Sequence, residues 1–293
     1  MKNTLVLIAN PKRPVLDDTV VQRASELLWS NRGAVGTPDW LAPGIACEIP
    51  FDGKASTLAF EGVDAVVLPT ANRRKRLLVA DMESTVIENE MLDELAEFLG
   101  LRDRIAAITA RAMNGELDFA AALNERVGLL QGLPVSKLDE AAKRIRYTPG
   151  GATLVATMKK HGATCALVSG GFTHFTGRVK QALGFDSEAA NVLKHDGKTL
   201  AGAVELPILG KEAKLAMLDR LCVERGIPVG EALTVGDGAN DLPMLKAAGL
   251  GVAFHAKPVV AAEVSACIDH GDLTALLYLQ GYRRSDFVER PDP

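Results

Sequence analysis

The sequence predicts an α/β fold: a Rossmann-like parallel-sheet core with an inserted helical cap, preceded by a small α+β N-terminal domain. Three observations carry this. From Leu77 onward, short fully apolar runs alternate with stretches of helical periodicity, the signature of buried parallel strands joined by crossover helices. Between residues 88 and 147 that alternation stops and only helical pattern remains. The length of 293 residues suggests about two domains at roughly 150 residues each.

Residues 1–72 read as one unit. Thr4–Ala9 is strand-like, Asp17–Ser30 is an amphipathic helix, and Ile45–Ile49 and Val63–Leu68 are further strands. Gly and Pro punctuate the stretch from Gly33 to Gly44, which reads as loop. The unit holds no cluster of catalytic residue types. A small regulatory, ACT-like sandwich that binds an amino acid is the expectation. Asn72-Arg73-Arg74-Lys75-Arg76 follows as a compact basic run, read as a solvated linker because it is brief and the chain is acidic overall.

The core is expected over residues 73–285. Its strands are Leu77–Ala80, Thr164–Val168, Leu233–Val235, Leu250–Ala253 and Ala266–Ile268. His195-Asp196-Gly197-Lys198 lies between two strand-like arms and predicts a hairpin over Asn191–Leu206. Within 88–147 the helices are Met91–Leu99, Arg102–Met113, Asp118–Leu130 and Val135–Arg144. Phe119, Leu123, Val127 and Leu130 share one face. A bundle inserted after the first core strand belongs over that strand's C-terminal end, where open α/β sheets bind ligands, so it is placed as a lid. The polar tail 286–293 is expected to fray.

Composition limits the partners. Lys+Arg total 33 against Asp+Glu 37, a formal charge of −4, so no broad surface for nucleic acid or anionic membrane is expected. No run approaches the ~18 apolar residues of a membrane span, although mean hydropathy is +0.10. The short apolar start followed by Asn, Lys, Arg and Pro does not resemble a leader, and a cytoplasmic location is expected. Cys47, Cys165, Cys222 and Cys267 form no CxxC pair and read as free buried thiols. The five histidines are scattered, with no i,i+4 pair.

Four short segments carry chemistry. Asp81-Met82-Glu83-Ser84-Thr85 leaves the first core strand with two carboxylates: one able to attack an electrophile or hold a cation, the other to move a proton. Ser169-Gly170-Gly171 offers a hydroxyl and unhindered N–H groups suited to a phosphate oxygen. Lys214 opens an apolar helical stretch and can neutralise phosphoryl charge. Gly236-Asp237-Gly238-Ala239-Asn240-Asp241 sets hard oxygen ligands at a strand end, a pattern that suits Mg²⁺. Alone, the first three read more readily as a polar strand end, a turn and a solvated helix face, and the Gly236–Asp241 segment is the most specific; their order along the chain is what matters most.

In that order the segments resemble the four motifs of the haloacid dehalogenase-like (HAD) phosphatase superfamily. Within it they resemble the phosphoserine phosphatases over about Leu77–Tyr282. The resemblance implies two-step hydrolysis of phosphoserine. Asp81 would be the nucleophile and Glu83 the acid/base. Mg²⁺ would be held by Asp81, Asp237 and the main-chain carbonyl of Glu83, with Asp241 supporting its water shell and orienting Lys214. Ser169, Gly170, Gly171, Lys214 and Asn240 would contact the phosphoryl group. Glu90 would take the amine and Arg126 the carboxylate, with Met113 and Phe119 lining the pocket.

One position departs from the family, which carries Asp where this chain has Glu83. The added methylene extends the carboxylate by about 1.5 Å, and a misplacement of ~1 Å can cost ~10²-fold in rate. Two other readings stand beside the phosphoserine one: a phosphatase or phosphotransferase for another small phosphomonoester, and a non-catalytic amino-acid sensor. The oligomeric state is open.

Overall fold

Two sheets organise the chain. A computed structural model describes residues 1–30, 34–53, 58–113 and 116–293, the side chains of Ser30, Met113 and Lys211 excepted. The first sheet holds β1 (Asn3–Ala9), β2 (Asp39–Ala42), β3 (Ala46–Phe51) and β4 (Val63–Pro69), with α1 (Asp18–Ser30) between β1 and β2. Its order is β2-β3-β1-β4, with every pairing antiparallel. Strand β2 lies in the stretch read as loop. It is four residues long, sits at the sheet edge, and shifts register between Trp40 and Ala42, so it has no room for an alternating pattern.

Strand β1 is apolar on both faces because it feeds two cores. Leu5, Leu7 and Ala9 pack with Val21, Ala24 and Leu28 of α1. Val6 and Ile8 join Val66, Leu68 and the Leu276–Leu279 stretch on the opposite face. Each such side chain contributes about 1.5–3 kcal/mol on burial.

The second sheet begins with β5 (Leu77–Ala80). Then come α2 (Met91–Glu97), α3 (Arg102–Met113), α4 (Phe119–Gly128) and α5 (Ser136–Ala142), followed by α6 (Gly151–Lys160), β6 (Thr164–Phe172), α7 (Thr173–Leu183) and β7 (Ser187–Asn191). A hairpin of β8 (Leu193–His195) and β9 (Leu200–Val204) precedes α8 (Lys211–Arg225), β10 (Ala232–Gly236), α9 (Leu242–Ala247), β11 (Leu250–Phe254), α10 (Pro258–Ala261), β12 (Ala266–Ile268) and α11 (Ala275–Leu279). The order is β12-β11-β10-β5-β6-β7, all parallel. Strand β7 escapes the sequence pattern because Ser-Glu-Ala-Ala-Asn lacks β-branched residues and closes the edge. Chain connections depart to opposite sides from β5, which makes its C-terminal end a topological switch point.

The basic run is half covered: Arg73 and Lys75 are drawn into the fold, which corrects the solvated-linker expectation for those two, while Asn72, Arg74 and Arg76 stay exposed. The Arg73 guanidinium donates to the Leu279 and Tyr278 carbonyls at the end of α11 and pairs with Glu48 of β3 at 2.6 Å. Arg74 lies 3.3 Å over the Tyr282 ring. Lys75 is 7% exposed and donates to the Asn72 and Gly230 carbonyls. Burial pulls its ammonium below the ordinary value, against the charge of Glu231. The run sits where the C-terminal end of α11 exposes carbonyls that cations complete.

The tail is also held, where fraying was expected. Asp292 accepts from the Gly150 and Ala152 N–H groups at the start of α6. Val288 and Arg290 donate their N–H groups to Thr157 and Thr153 of the same helix. Charge at a helix N-terminus and unpaired hydroxyls on α6 anchor a segment that composition alone marks as loose. No helix among the described residues is long and apolar enough to cross a membrane.

Candidate active site

The C-terminal ends of β5, β6 and β10 lie side by side in the sheet, and the Asp81, Ser169 and Asp237 segments lie at them. The Asp81 N–H donates to the Val235 carbonyl at 3.0 Å, continuing the β5–β10 pairing one residue past the strand. Beyond it the chain wraps tightly: the Val86 and Ile87 N–H groups both donate to the Met82 carbonyl. Ser84 takes a left-handed φ of 55° in this wrap, and its hydroxyl donates to Glu90 Oε1 at 2.8 Å.

Lys214 is 2% exposed and reaches from α8 to Asp81 Oδ2 at 2.6 Å and Asp241 Oδ1 at 2.5 Å. Burial alone would pull this ammonium down; the two carboxylates outweigh it and push it up. Carboxylate oxygens of Asp81, Asp237 and Asp241 all lie within 4.8 Å of one another. Burial, then repulsion from Asp241, pushes Asp81 up to about 8 against the pull of Lys214. The same two causes push Asp237 up to about 6. One lysine for three clustered carboxylates leaves a deficit of positive charge, and an all-oxygen donor set fits a hard divalent cation. Gly236 is required here: a Cβ on it would sit 2.4 Å from the Asp241 carboxylate.

Ser169, Gly170 and Gly171 lie within the end of β6, which runs on to Phe172 past the expected turn after Val168 and shifts its register against β7 there. Ser169 is 2% exposed, and its Oγ accepts from the Gly171 N–H at 2.9 Å. A Cβ at Gly171 would lie 2.6 Å from Glu83 Oε2, so the missing side chain makes room for the longer acid. Glu83 Oε1 accepts from the Met91 N–H, the first residue of α2, at 2.8 Å. Burial and then Glu90 push this carboxyl up to about 8, against that N–H bond.

The helical segment meets this strand end through Phe119. Its ring would be 3.1 Å from a Cβ at Gly170 and 3.3 Å from one at Gly210, so it sits in a slot between two glycines. Among the described residues, Arg126 on α4 bonds to the Ala122 carbonyl and, at 3.4 Å, to Thr109. It makes no ion pair among the described residues. Burial pulls its guanidinium down, and the charges of Glu83, Glu90 and Asp93 pull it back up. Asn240 follows Gly238, whose absent Cβ would be 2.3 Å from its Oδ1. Met113 ends α3, and its side chain lies outside the described residues.

Sequence reasoning missed Asn191. It is 2% exposed, donates to the Gly170 carbonyl at 2.8 Å, and exchanges bonds with both backbone groups of Leu209. It thereby ties the Ser-Gly-Gly segment to the one that opens α8. A polar residue closing an otherwise small and apolar run was the available signal.

Comparison with known proteins follows the same boundaries. Residues 78–246 match the family model of the haloacid dehalogenase-like hydrolases. The chain belongs to that family. Among curated HAD relatives, a phosphoserine phosphatase of Streptomyces coelicolor is 41% identical over 256 residues, covering 87% of this chain and 62% of that protein. One from Albidiferax ferrireducens is 44% identical over 210 residues, covering 70% and 89%. The chain spans about six-tenths of the length of several such relatives. Among solved structures, a HAD family hydrolase of Salmonella enterica superposes with a TM-score of 0.81 at 30% identity, covering 94% of this chain and 98% of that one. A substrate-bound phosphoserine phosphatase complex superposes at 0.66 and 38% identity, covering 70% and 98%.

Proposed function

We propose that this HAD hydrolase is a Mg²⁺-dependent phosphatase that converts O-phospho-L-serine to L-serine and phosphate, the last step of serine biosynthesis, in the cytoplasm. The observation that carries the reading is the buried Lys214 bridging Asp81 and Asp241 beside Asp237. It leaves one carboxylate oxygen at a strand end where a phosphoryl group meets a fixed cation. Curated relatives about 40% identical that bear the name phosphoserine phosphatase support the substrate.

In the first step an Asp81 oxygen attacks phosphorus, the bond to the seryl oxygen breaks, and the leaving oxygen takes the proton of Glu83. In the second, Glu83 takes a proton from water as that water attacks phosphorus, and the Asp81–phosphorus bond breaks. Lys214, the Ser169 hydroxyl, the Ser-Gly-Gly N–H groups and Asn240 hold phosphoryl oxygens through both steps. Asp81, Asp237 and the Glu83 carbonyl would hold Mg²⁺, with Asp241 supporting its water shell, and the ion would supply neutralising charge at the phosphoryl group.

The amino-acid head is read by the helical segment. Arg126, without an ion-pair partner among the described residues, suits the substrate carboxylate, and Glu90 suits the ammonium. Phe119 excludes water beside the Ser-Gly-Gly segment. The test is phosphate release with Mg²⁺ across phosphoserine, phosphothreonine and a sugar phosphate. Phosphoserine is expected to give the highest kcat/KM. A preference for the sugar phosphate would reassign the substrate class.

A further inference from the structure

The first sheet reaches the active-site edge through one buried side chain. Asp64 of β4 is 6% exposed, and its two carboxylate oxygens accept from three consecutive N–H groups. These are Asp269 at 2.8 Å, His270 at 3.1 and 3.2 Å, and Gly271 at 2.8 Å, in the turn between β12 and α11. The Gly271 carbonyl is in turn bonded to His255 Nε2 at 2.9 Å. Because a carbonyl only accepts, Nε2 carries the proton.

His255 is held from two further directions. Its N–H donates to the Ile268 carbonyl at 2.8 Å, and its ring stacks on Phe254 with centroids 4.1 Å apart. Its φ is 44°, a left-handed conformation that a non-glycine residue keeps only when its surroundings fix it. Two residues on, the Lys257 N–H donates to the Asp237 carbonyl at 3.2 Å. That carbonyl shares a rigid peptide plane with the Gly238 N–H, which donates to Asp241 Oδ2 at 3.0 Å. The path from Asp64 to the carboxylate cluster thus runs through hydrogen bonds at Gly271, His255, Lys257 and Gly238, joined by short stretches of backbone within Gly271 and from His255 to Lys257.

We propose that Asp64 and His255 are positioning residues that set the Asp237–Asp241 turn, so that the N-terminal sheet serves as a fixed support for the cation-binding carboxylates. The proposal rests on the reading of Asp237 as a cation ligand. Neither residue touches substrate or cation. The geometry also says what each must supply. Asp64 needs two oxygens to span three N–H groups, which an amide cannot match because it offers one. His255 needs a donor at the reach of Nε2.

The test measures Mg²⁺ affinity by calorimetry, alongside kcat, phosphoserine KM and thermal unfolding, for wild type, Asp64→Asn, His255→Asn and the double variant. His255→Asn retains a residue that tolerates left-handed φ and removes the bond to Gly271 together with the ring stacked on Phe254. It is exposed in the native structure, so it carries the test if Asp64→Asn fails to fold. Each single variant is expected to weaken Mg²⁺ binding about 3- to 10-fold with phosphoserine KM at saturating Mg²⁺ unchanged. The double variant is expected to be no weaker than the worse single one, since both cut the same relay. Unchanged Mg²⁺ affinity in His255→Asn, or fully multiplicative losses in the double variant, would overturn the inference. Absence of Mg²⁺ binding by the wild type would instead overturn the reading on which it rests.

Discussion

The N-terminal sheet and the helical segment 88–147 both attach to the parallel sheet, but by opposite means. The N-terminal sheet is joined through charges taken out of water: Arg73 is 10% exposed against Glu48 at 19%, and Asp64 and Lys75 are buried. The helical segment meets the core through exposed charges. Asp139 of α5, 59% exposed, pairs with Arg178 and His174 of α7. Backbone bonds run to the hairpin, from Gly132 and Val135 to the Leu200 and Lys198 carbonyls, and near the site the Met91 N–H donates to Glu83 and the Ser84 hydroxyl to Glu90. Of the two attached regions, the helical segment is the one that supplies side chains to the substrate in the proposed reaction, Glu90, Arg126 and Phe119.

That contrast orders the expected effects of mutation. Arg73→Ala removes one largely buried ion pair and the guanidinium bonds to the Tyr278 and Leu279 carbonyls, of which Tyr278 keeps the Gly281 N–H. We expect a loss of about 2–4 kcal/mol, read by denaturant unfolding. A loss below ~1 kcal/mol would mean that Arg73 and Glu48 behave as a surface pair.

The same contrast explains what the sequence disclosed. Periodicity alone revealed β5, β6, β10, β11 and β12, because strands buried on both faces are short unbroken apolar runs. The order of Asp81, Ser169, Lys214 and Asp237 then brought one site into view before any geometry. The residues it concealed act across long chain separations. Asp64 lies more than 200 residues from the turn it holds, and Arg73 bonds carbonyls 205 and 206 residues away. A carboxylate in a strand and an arginine in a basic run look solvated until the fold shows what covers them. Gly171 is similar: its role in admitting Glu83 depends on a side chain 88 positions earlier in the chain.

At the other joint the expected effect is small. Asp139→Ala removes its pairs with Arg178, 43% exposed, and His174, 24% exposed; because Asp139 itself faces water, the loss should be less than about 1 kcal/mol, with the effect shrinking further at high salt. Denaturant unfolding at low and high ionic strength checks it. A salt-insensitive loss as large as that of Arg73→Ala would erase the distinction between the two attachments.

The central claim is that Asp81 is the nucleophile of a phosphoserine hydrolysis, and phosphate release from phosphoserine with Mg²⁺ tests it directly. Asp81→Asn keeps the size of the side chain but loses the nucleophilic oxygen and the charge bonded to Lys214. The wild type is expected to release phosphate and the variant to lose on the order of 10³-fold or more in kcat. A variant as active as the wild type, or a wild type that releases no phosphate, would contradict the account.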